Sequence, residues 1–376
     1  MNWKIPLFKI FWDESDIENV SNSIKSGMSW AEGPDIQEFE RLIADFISTK
    51  YCVTFNSGTS AQHASMLAYG ISKGDEVIVP SFTFISTANT PLFVGAKPVF
   101  ADIEEQTLGL NPDSVLEKIT PRTKAIMPIH YGGCPCMIRE LKEIADDYNL
   151  ILIEDAAEAF GASVKGKKVG TFGDSTMLSF CQNKVITTGE GGAMVTDSDE
   201  IYRKLKLVRS HGRADNSQYF SSTISMDYVT LGYNFRMSSL TASLGIAQMK
   251  KVDAIIKMRQ DNSSYLNSRL KKEVAEHIYF PNMPEGHVNV YQLYTVIAND
   301  RDGLQEHLAN KGIMSKVYFS PVHRSHFYRN VLKYECDLPV TDKIADNVLT
   351  LPMYPDLKLD EMDYLIDEIT NYYEGN

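Results

Sequence analysis

Cysteine is scarce: Cys52, Cys134, Cys136, Cys181 and Cys336 are the five in 376 residues. An odd number spread over a long chain does not make a disulfide framework. Cys134 and Cys136 have one residue between them, closer than the usual zinc-ligand spacing. No second Cys/His pair lies nearby, so no metal centre is expected. Long apolar runs are missing as well, and none approaches the ~20 residues of a membrane span. Residues 1–11 carry Lys4 and Lys9 and lack both an uninterrupted apolar core and a small-residue cleavage site, so a cytoplasmic protein is expected. Positive charge is also short, with 37 Lys and Arg against 49 Asp and Glu and a net charge of −12. That balance argues against nonspecific binding to nucleic acid or an acidic membrane, while leaving room for a local basic pocket. Neither GxGxxG nor a Walker loop is present, which counts against a dinucleotide or nucleoside triphosphate.

What is present is an alternation of strands and helices. Residues 13–25 read as a helix with Ile17, Val20 and Ile24 on an apolar face. Pro34 opens a second, with Ile36, Phe39, Leu42, Ile43 and Phe46 at helical spacing. Apolar strands at 51–55, 76–80, 97–101, 124–128, 150–155 and 175–180 are separated by helical segments. Near-continuous apolar strands at this spacing imply an α/β fold with a mostly parallel sheet, of the seven-stranded type, covered on both faces. Ligands of such sheets bind at the carboxyl ends of the strands. Asn56–Ser60, Ser81–Phe84, His130 and Asp155 stand there and should converge on one cleft. A long helix is expected over 239–270, with a domain change near its middle. The division is therefore 1–250, a large domain, and 251–376, a smaller α+β domain on which the N-terminal segment could also pack. A strand at 291–297, a helix at 301–311, a strand at 315–319 and a helix at 360–373 make up the smaller part.

One amine stands out. Lys184 lies between the apolar run 176–180 and the cluster Gly189-Glu190-Gly191-Gly192. A buried lysine loses its charge readily, and a neutral amine can attack a carbonyl; taken singly, a lysine there is equally a surface residue of a hairpin loop. The strand 51–55 runs through Asn56-Ser57-Gly58-Thr59-Ser60 into a helix. That is either a phosphate site, where free amides and the helix dipole face an anion, or an ordinary N-cap. Phe84 could cover a flat ligand or belong to the core, and Asp155 could be a cap. Together they match what pyridoxal 5′-phosphate requires. Lys184 supplies an imine-forming amine and Asp155 an acid for the ring nitrogen. Gly58, Thr59 and Ser60 form a phosphate cup, with Ser179 as a further donor, and Phe84 stacks.

These stretches are specific in combination. WAEGPDIQEFE (30–40), NSGTSA (56–61), PSFTF (80–84), EDAAEAFGA (154–162), SFCQNKVITTGEGG (179–192), GYNFRM (232–237) and Leu351-Pro352 follow in order. The chain resembles the DegT/StrS-type sugar aminotransferases, a branch of the fold-type I pyridoxal-phosphate enzymes, over almost its whole length. The resemblance implies that Lys184 holds the cofactor as a Schiff base and shuttles the proton between Cα and C4′. It implies that Asp155 pairs with the pyridinium nitrogen, that Phe84 stacks on the ring and that Thr59, Ser60 and Ser179 hold the phosphate. Glu158 would lie near O3′, where many members have Gln or His. Asn234 would reach the phosphate from a neighbouring subunit, making a homodimer with shared active sites. Lys316, His323 and Arg213 would lie near a sugar nucleotide. EDAAEA and Asn183 are similar to perosamine-synthase-like members, which implies a nucleotide-linked 4-keto-6-deoxy sugar as acceptor, L-glutamate as donor and ping-pong kinetics. The alternatives are a 3-keto enzyme, which shares the core motifs, a pyridoxal-phosphate sugar dehydratase, in whose branch histidine replaces the lysine, and a non-catalytic regulatory member.

Overall fold

In a computed structural model, residues 3–214, 223 and 226–375 are described. The strands are β1 (Tyr51–Phe55), β2 (Glu76–Pro80), β3 (Lys97–Ala101), β4 (Thr123–Ile126), β5 (Ile151–Asp155), β6 (Ser163–Val164), β7 (Lys167–Lys168), β8 (Ser175–Ser179), β9 (Gly192–Thr196), β10 (Ile278–Tyr279), β11 (His287–Val288), β12 (Tyr294–Ala298) and β13 (Val348–Leu351). The helices are α1 (Glu14–Lys25), α2 (Pro34–Ile47), α3 (Gly58–Ala68), α4 (Ser86–Phe93), α5 (Pro112–Lys118), α6 (Ile138–Asp147), α7 (Asp199–Arg209), α8 (Ser239–Met249), α9 (Val252–Glu273), α10 (Arg301–Asn310), α11 (Pro339–Asn347) and α12 (Leu359–Glu374).

Short strands buried on both faces and joined by helices favour a parallel sheet with crossovers. The large sheet has the order β1-β9-β8-β5-β4-β2-β3. Its pairs from β8 to β3 are parallel, while β9 runs antiparallel to both β8 and β1. That single reversed strand places the lysine. The chain leaves β8 at Ser179, loops through Lys184 and returns as β9 with Gly192 opposite Ser179. Phe55, the last residue of β1, also faces Gly192. The lysine loop, the start of α3 and the ends of β2 and β5 therefore share one edge.

Beneath that edge, Ile36, Phe39, Ile43 and Ile47 of α2 pack with Leu178, Phe180 and α8. Burying one such side chain contributes about 1.5–3 kcal/mol. A separate core joins Ile5, Leu266, Leu270, Val296, Leu304, Leu351 and Ile366 around the antiparallel sheet β10-β12-β13. The N-terminal segment belongs to it: Ile5 donates to Gly312 O at 3.1 Å, and Leu7 O accepts from Met353 N at 3.1 Å. The second half also reaches back, with Val322, Tyr328 and Leu338 packed on Val77, Val79 and Phe100.

Three elements differ from expectation. The helix expected over 239–270 is two helices, because Lys251 turns out of the helical path (φ −117°). Its ammonium there meets Asp13 at 2.8 Å and Asp16 at 2.6 Å. The same contact inverts α1. Asp16 and Ser23 face inward, and Asp16 also accepts from Gln248 at 2.9 Å, while Ile17 and Ile24 are 49% and 47% exposed. The segment 315–319 is not a strand and makes only the bridge Lys316–Thr350. The strands beside β12 are β10 and β13, the latter entered directly from α11. No helix among the described residues is long and apolar enough to cross a membrane.

Candidate active site

Strand β5 delivers two carboxylates to opposite faces of the sheet, since successive side chains alternate. Asp155 is 2% exposed. Its Oδ2 accepts from Gln62 Nε2 of α3 at 2.6 Å and from Thr87 Oγ1 of α4 at 2.8 Å. Its Oδ1 accepts from Ala157 N at 3.2 Å. Burial pushes the Asp155 pKa up, against the pull of these donors and of the Lys184 charge. A buried acid held by neutral donors, with one oxygen carrying a single long bond, suits a cationic N–H. Glu154 points the other way and accepts from Gly170 N, Phe172 N, Gly173 N, Thr176 Oγ1 and His130 Nε2 at 2.7–3.1 Å.

His130 is thereby removed from the cleft where it was expected. It is fully buried, its Nε2 3.0 Å from Glu154 and its Nδ1 accepting from Cys136 N at 3.1 Å. Those two bonds require a neutral ring protonated at Nε2, which ties strand β5 to the loop after β4.

Lys184 is close enough for its charge to act on Asp155. Its Nζ is 3.5 Å from Glu158 Oε1, and the side chain is 14% exposed. Glu158 is buried, with Oε2 accepting from Gly132 N at 2.9 Å. The loop closes through Lys184 N to Cys181 O (3.0 Å) and Thr188 N to Phe180 O (2.9 Å).

The start of α3 forms the third wall. Ser57 caps the helix, accepting from Ser60 N at 3.1 Å, with the Ser60 hydroxyl 2.9 Å away. Two glycines set how closely the walls approach. A Cβ on Gly58 would lie 2.9 Å from Met177 Sδ and 3.6 Å from Ser179 Oγ. A Cβ on Gly192 would lie 2.4 Å from the Gly58 nitrogen. Without side chains there, the helix N-terminus presses onto the ends of β8 and β9 and brings Gly58, Thr59, Ser60 and Ser179 into one cradle. Free amides, a helix dipole and hydroxyls in that arrangement suit a phosphate.

Phe84, just past β2, is 57% exposed, with its ring 6.3 Å from that of Phe319. His323 is fixed beside it. Its Nδ1 is 2.8 Å from Ser81 Oγ, its Nε2 is 3.3 Å from Asp342, and burial lowers its pKa. Lys316 is exposed, with Nζ 4.7 Å over the Tyr318 ring. Asn234 is exposed, and its main-chain oxygen accepts from Asn56 Nδ2 of the same chain at 3.5 Å. Arg213 lies elsewhere, buried 3.6 Å from Glu32 beside a cavity of about 500 Å³ that Glu40, Arg209 and Arg236 also line. Sequence reasoning passed over Gln62 and Thr87, which hold Asp155. Gln62 sits one turn into α3 and Thr87 in the first turn of α4, and an inward-facing polar residue there was the available signal.

With this geometry in view, the class is clear. Residues 12–370 match the DegT/DnrJ/EryC1/StrS aminotransferase family, and the chain belongs to it. It is similar to the GDP-perosamine synthase of Vibrio cholerae, 36% identical over 374 residues, covering 98% of this chain and 99% of that one. It is also similar to the GDP-perosamine synthase of Escherichia coli O157:H7, 35% identical over 369 residues with 98% of each chain covered. Among solved structures it is similar to NtdA from Bacillus subtilis with bound cofactor PMP, at a TM-score of 0.87 and 27% identity over 96% of this chain and 82% of that one. The protein is an aminotransferase with the fold of type I enzymes, and its cofactor is pyridoxal 5′-phosphate. The cradle, the buried acid and the lysine fit that group.

Proposed function

We propose that the protein moves an amino group from L-glutamate to the keto carbon, C4, of a nucleotide-linked keto-deoxy sugar, for amino-sugar and surface-polysaccharide synthesis. The observation that carries the chemistry is Asp155, buried with its pKa raised and with no hydrogen-bonded cation among the described residues, on the same sheet edge as Lys184. Similarity over the whole chain to two GDP-perosamine synthases supports the sugar acceptor.

The bound cofactor supplies a carbonyl carbon that takes up the amino group and a ring that draws electrons from the substrate Cα–H bond. Lys184 Nζ holds that carbon at rest and, once released, moves the proton between the substrate Cα and C4′. Glu158, 3.5 Å from the amine, is the carboxylate paired with it. Asp155 keeps a proton on the ring nitrogen. Thr59, Ser60, Ser179 and the Gly58 amide bind phosphate, and Phe84 covers the ring. Lys316 and His323 are assigned to the sugar nucleotide, with His323 held in place by Ser81 and Asp342, while Arg213, paired with Glu32 beside the separate cavity, is not.

The working unit in this reading is a homodimer, with Asn234 serving the partner's phosphate. Ile17 and Ile24 on one face of α1, with exposed Trp12, Met28 and Trp30, are apolar area that one chain leaves uncovered. The division 1–250 and 251–376 is supported by the break between α8 and α9 and by the separate core around β12. The test is to load the protein with pyridoxamine phosphate and offer nucleotide-linked 3-keto and 4-keto sugars. Return of the cofactor absorbance to the aldehyde form with a 4-keto sugar is expected. Return with 3-keto sugars alone, or with none, contradicts the reading.

A further inference from the structure

Lys184 is tied at both ends to one short segment of the second half of the chain. Gln292 is 4% exposed, and its Nε2 donates to the oxygen of Asn183, the peptide that leads into Lys184. The orientation of this amide is forced, because a carbonyl oxygen can only accept. Its Oε1 is buried with no protein partner among the described residues. Leaving it so costs free energy, and the donor end offsets that only by holding its acceptor. The next residue secures the other end of the lysine. Leu293 N donates to Gly132 O at 3.0 Å, Gly132 N donates to Glu158 Oε2 at 2.9 Å, and Glu158 Oε1 is 3.5 Å from Lys184 Nζ. The contacts close a ring from the lysine's peptide, through residues 292–293, back to its amine.

The segment is itself anchored. Arg259 Nη1 of α9 donates to Tyr291 O at 3.1 Å, and Gln260 Nε2 donates to Asn289 O at 3.0 Å. Tyr291 has φ +50°, a left-handed conformation costly for an aromatic residue, stabilised where its N–H meets Asn289 Oδ1 at 2.6 Å. Gly133 admits this docking, since a Cβ there would lie 2.9 Å from Asn289 Oδ1, the Gln292 nitrogen and Val290 Cγ2. Beyond residue 293 the chain enters β12, at the centre of the second core.

We propose that Gln292 is a positioning residue for Lys184, and that residues 289–293 couple the placement of the second core to both the main chain and the amine of the lysine. The proposal rests on the assignment of Lys184 as the cofactor lysine. Gln292 touches neither cofactor nor substrate; it fixes the loop from which the amine must leave and return. Misplacement of such a group by a fraction of an ångström lowers the rate without weakening substrate binding.

The experiment compares Gln292→Leu and Gln292→Met with wild type. Met keeps the length of the side chain and loses the donor, so it remains readable where Leu packs poorly. In the holoenzyme, kcat of the L-glutamate half-reaction is expected to fall about 10-fold with KM changed less than 2-fold. In the cofactor-free protein, amide hydrogen exchange over residues 181–188 is expected to rise about 10-fold while α3 is unchanged. Lower melting with kcat and exchange both within 2-fold of wild type overturns the proposal and leaves Gln292 a structural clip. Borohydride reduction of the wild-type holoenzyme separates the two readings. Cofactor found on a residue other than Lys184 overturns the lysine assignment and the kinetic half of the proposal, while the exchange result still reports on the clip.

Discussion

Asp155→Asn separates a cofactor role from a structural one. In the wild-type protein the carboxylate takes Gln62 Nε2 and Thr87 Oγ1 on one oxygen and Ala157 N on the other. Asparagine keeps the shape but turns one acceptor into a donor. The site can absorb that change. Gln62 Oε1 is buried without a protein partner among the described residues, so a flipped Gln62 presents an acceptor. Thr83 Oγ1, 2.9 Å from Thr87 Oγ1, already supplies a proton to that pair. Folding should therefore change by no more than about 1 kcal/mol. The cofactor should feel more. A charge-assisted bond to the ring nitrogen is worth about 1.5–3 kcal/mol, which corresponds to roughly 10- to 100-fold in affinity. The pH dependence carries a second signature. Because burial raises the Asp155 pKa in the folded state, the native protein binds the extra proton between the unfolded and folded values. Apo-protein stability contributed by this group is thus present below the unfolded pKa and is lost as pH rises through the folded one. The variant should lack that slope. The assay is absorbance titration of apo protein with cofactor, alongside denaturant melts from pH 4 to 8. Equal cofactor affinity within 2-fold, together with an unchanged pH slope, would refute the placement of Asp155 at the ring nitrogen.

Other changes probe the rest of the site. Gly192→Ala drives a methyl against the Gly58 backbone, 2.4 Å from its nitrogen, so the phosphate cradle must open. Cofactor affinity should fall at least ~10-fold, and stability by about 1–3 kcal/mol in a denaturant melt. Glu154→Gln sets an amide donor among five donors on the opposite face and should cost about 3 kcal/mol, with little change in KM for the substrates of the protein that remains folded. Burial raises the Glu154 pKa, but His130 and the Gly173 and Gly170 amides outweigh it and hold the value below normal. Its contribution is therefore present above the unfolded pKa and is lost as pH falls through the folded one, so acid melts of wild type and variant should converge. Phe84→Ala removes an aromatic that is 57% exposed, so apo stability should change by less than ~0.5 kcal/mol while cofactor affinity drops several-fold in the same titration.

The strands were the legible part of this chain. Five-residue apolar runs bounded by turns define β1, β2 and β3 to the residue, and the ends of β1 and β2 lead to the cleft. The lysine loop was legible because a glycine cluster separates two apolar runs around Lys184, and Gly192 in that cluster is where the second strand passes close to the Gly58 backbone. The reversed direction of β9 was not, since parallel and antiparallel neighbours bury the same residue types. Strand periodicity separates Glu154 from Asp155, yet nothing local shows that His130 follows Glu154 to the far face rather than entering the cleft. The inverted face of α1 was hidden for a related reason. Ile17 and Ile24 carry the helical pattern, and the inward face is set by Lys251, more than two hundred residues away. Gln62, Thr87 and Gln292 act through contacts 93, 68 and 109 residues distant in the chain, a range at which pattern reading has no signal.

The central claim is that Lys184 is the amine that holds the cofactor. Reduction of the holoenzyme with borohydride, followed by proteolysis and mass spectrometry of the labelled peptide, tests it directly. The account predicts one pyridoxyl group per chain, on Lys184, and no labelling in Lys184→Ala. A label on any other lysine, or reduced Lys184→Ala that still carries the group, would contradict it.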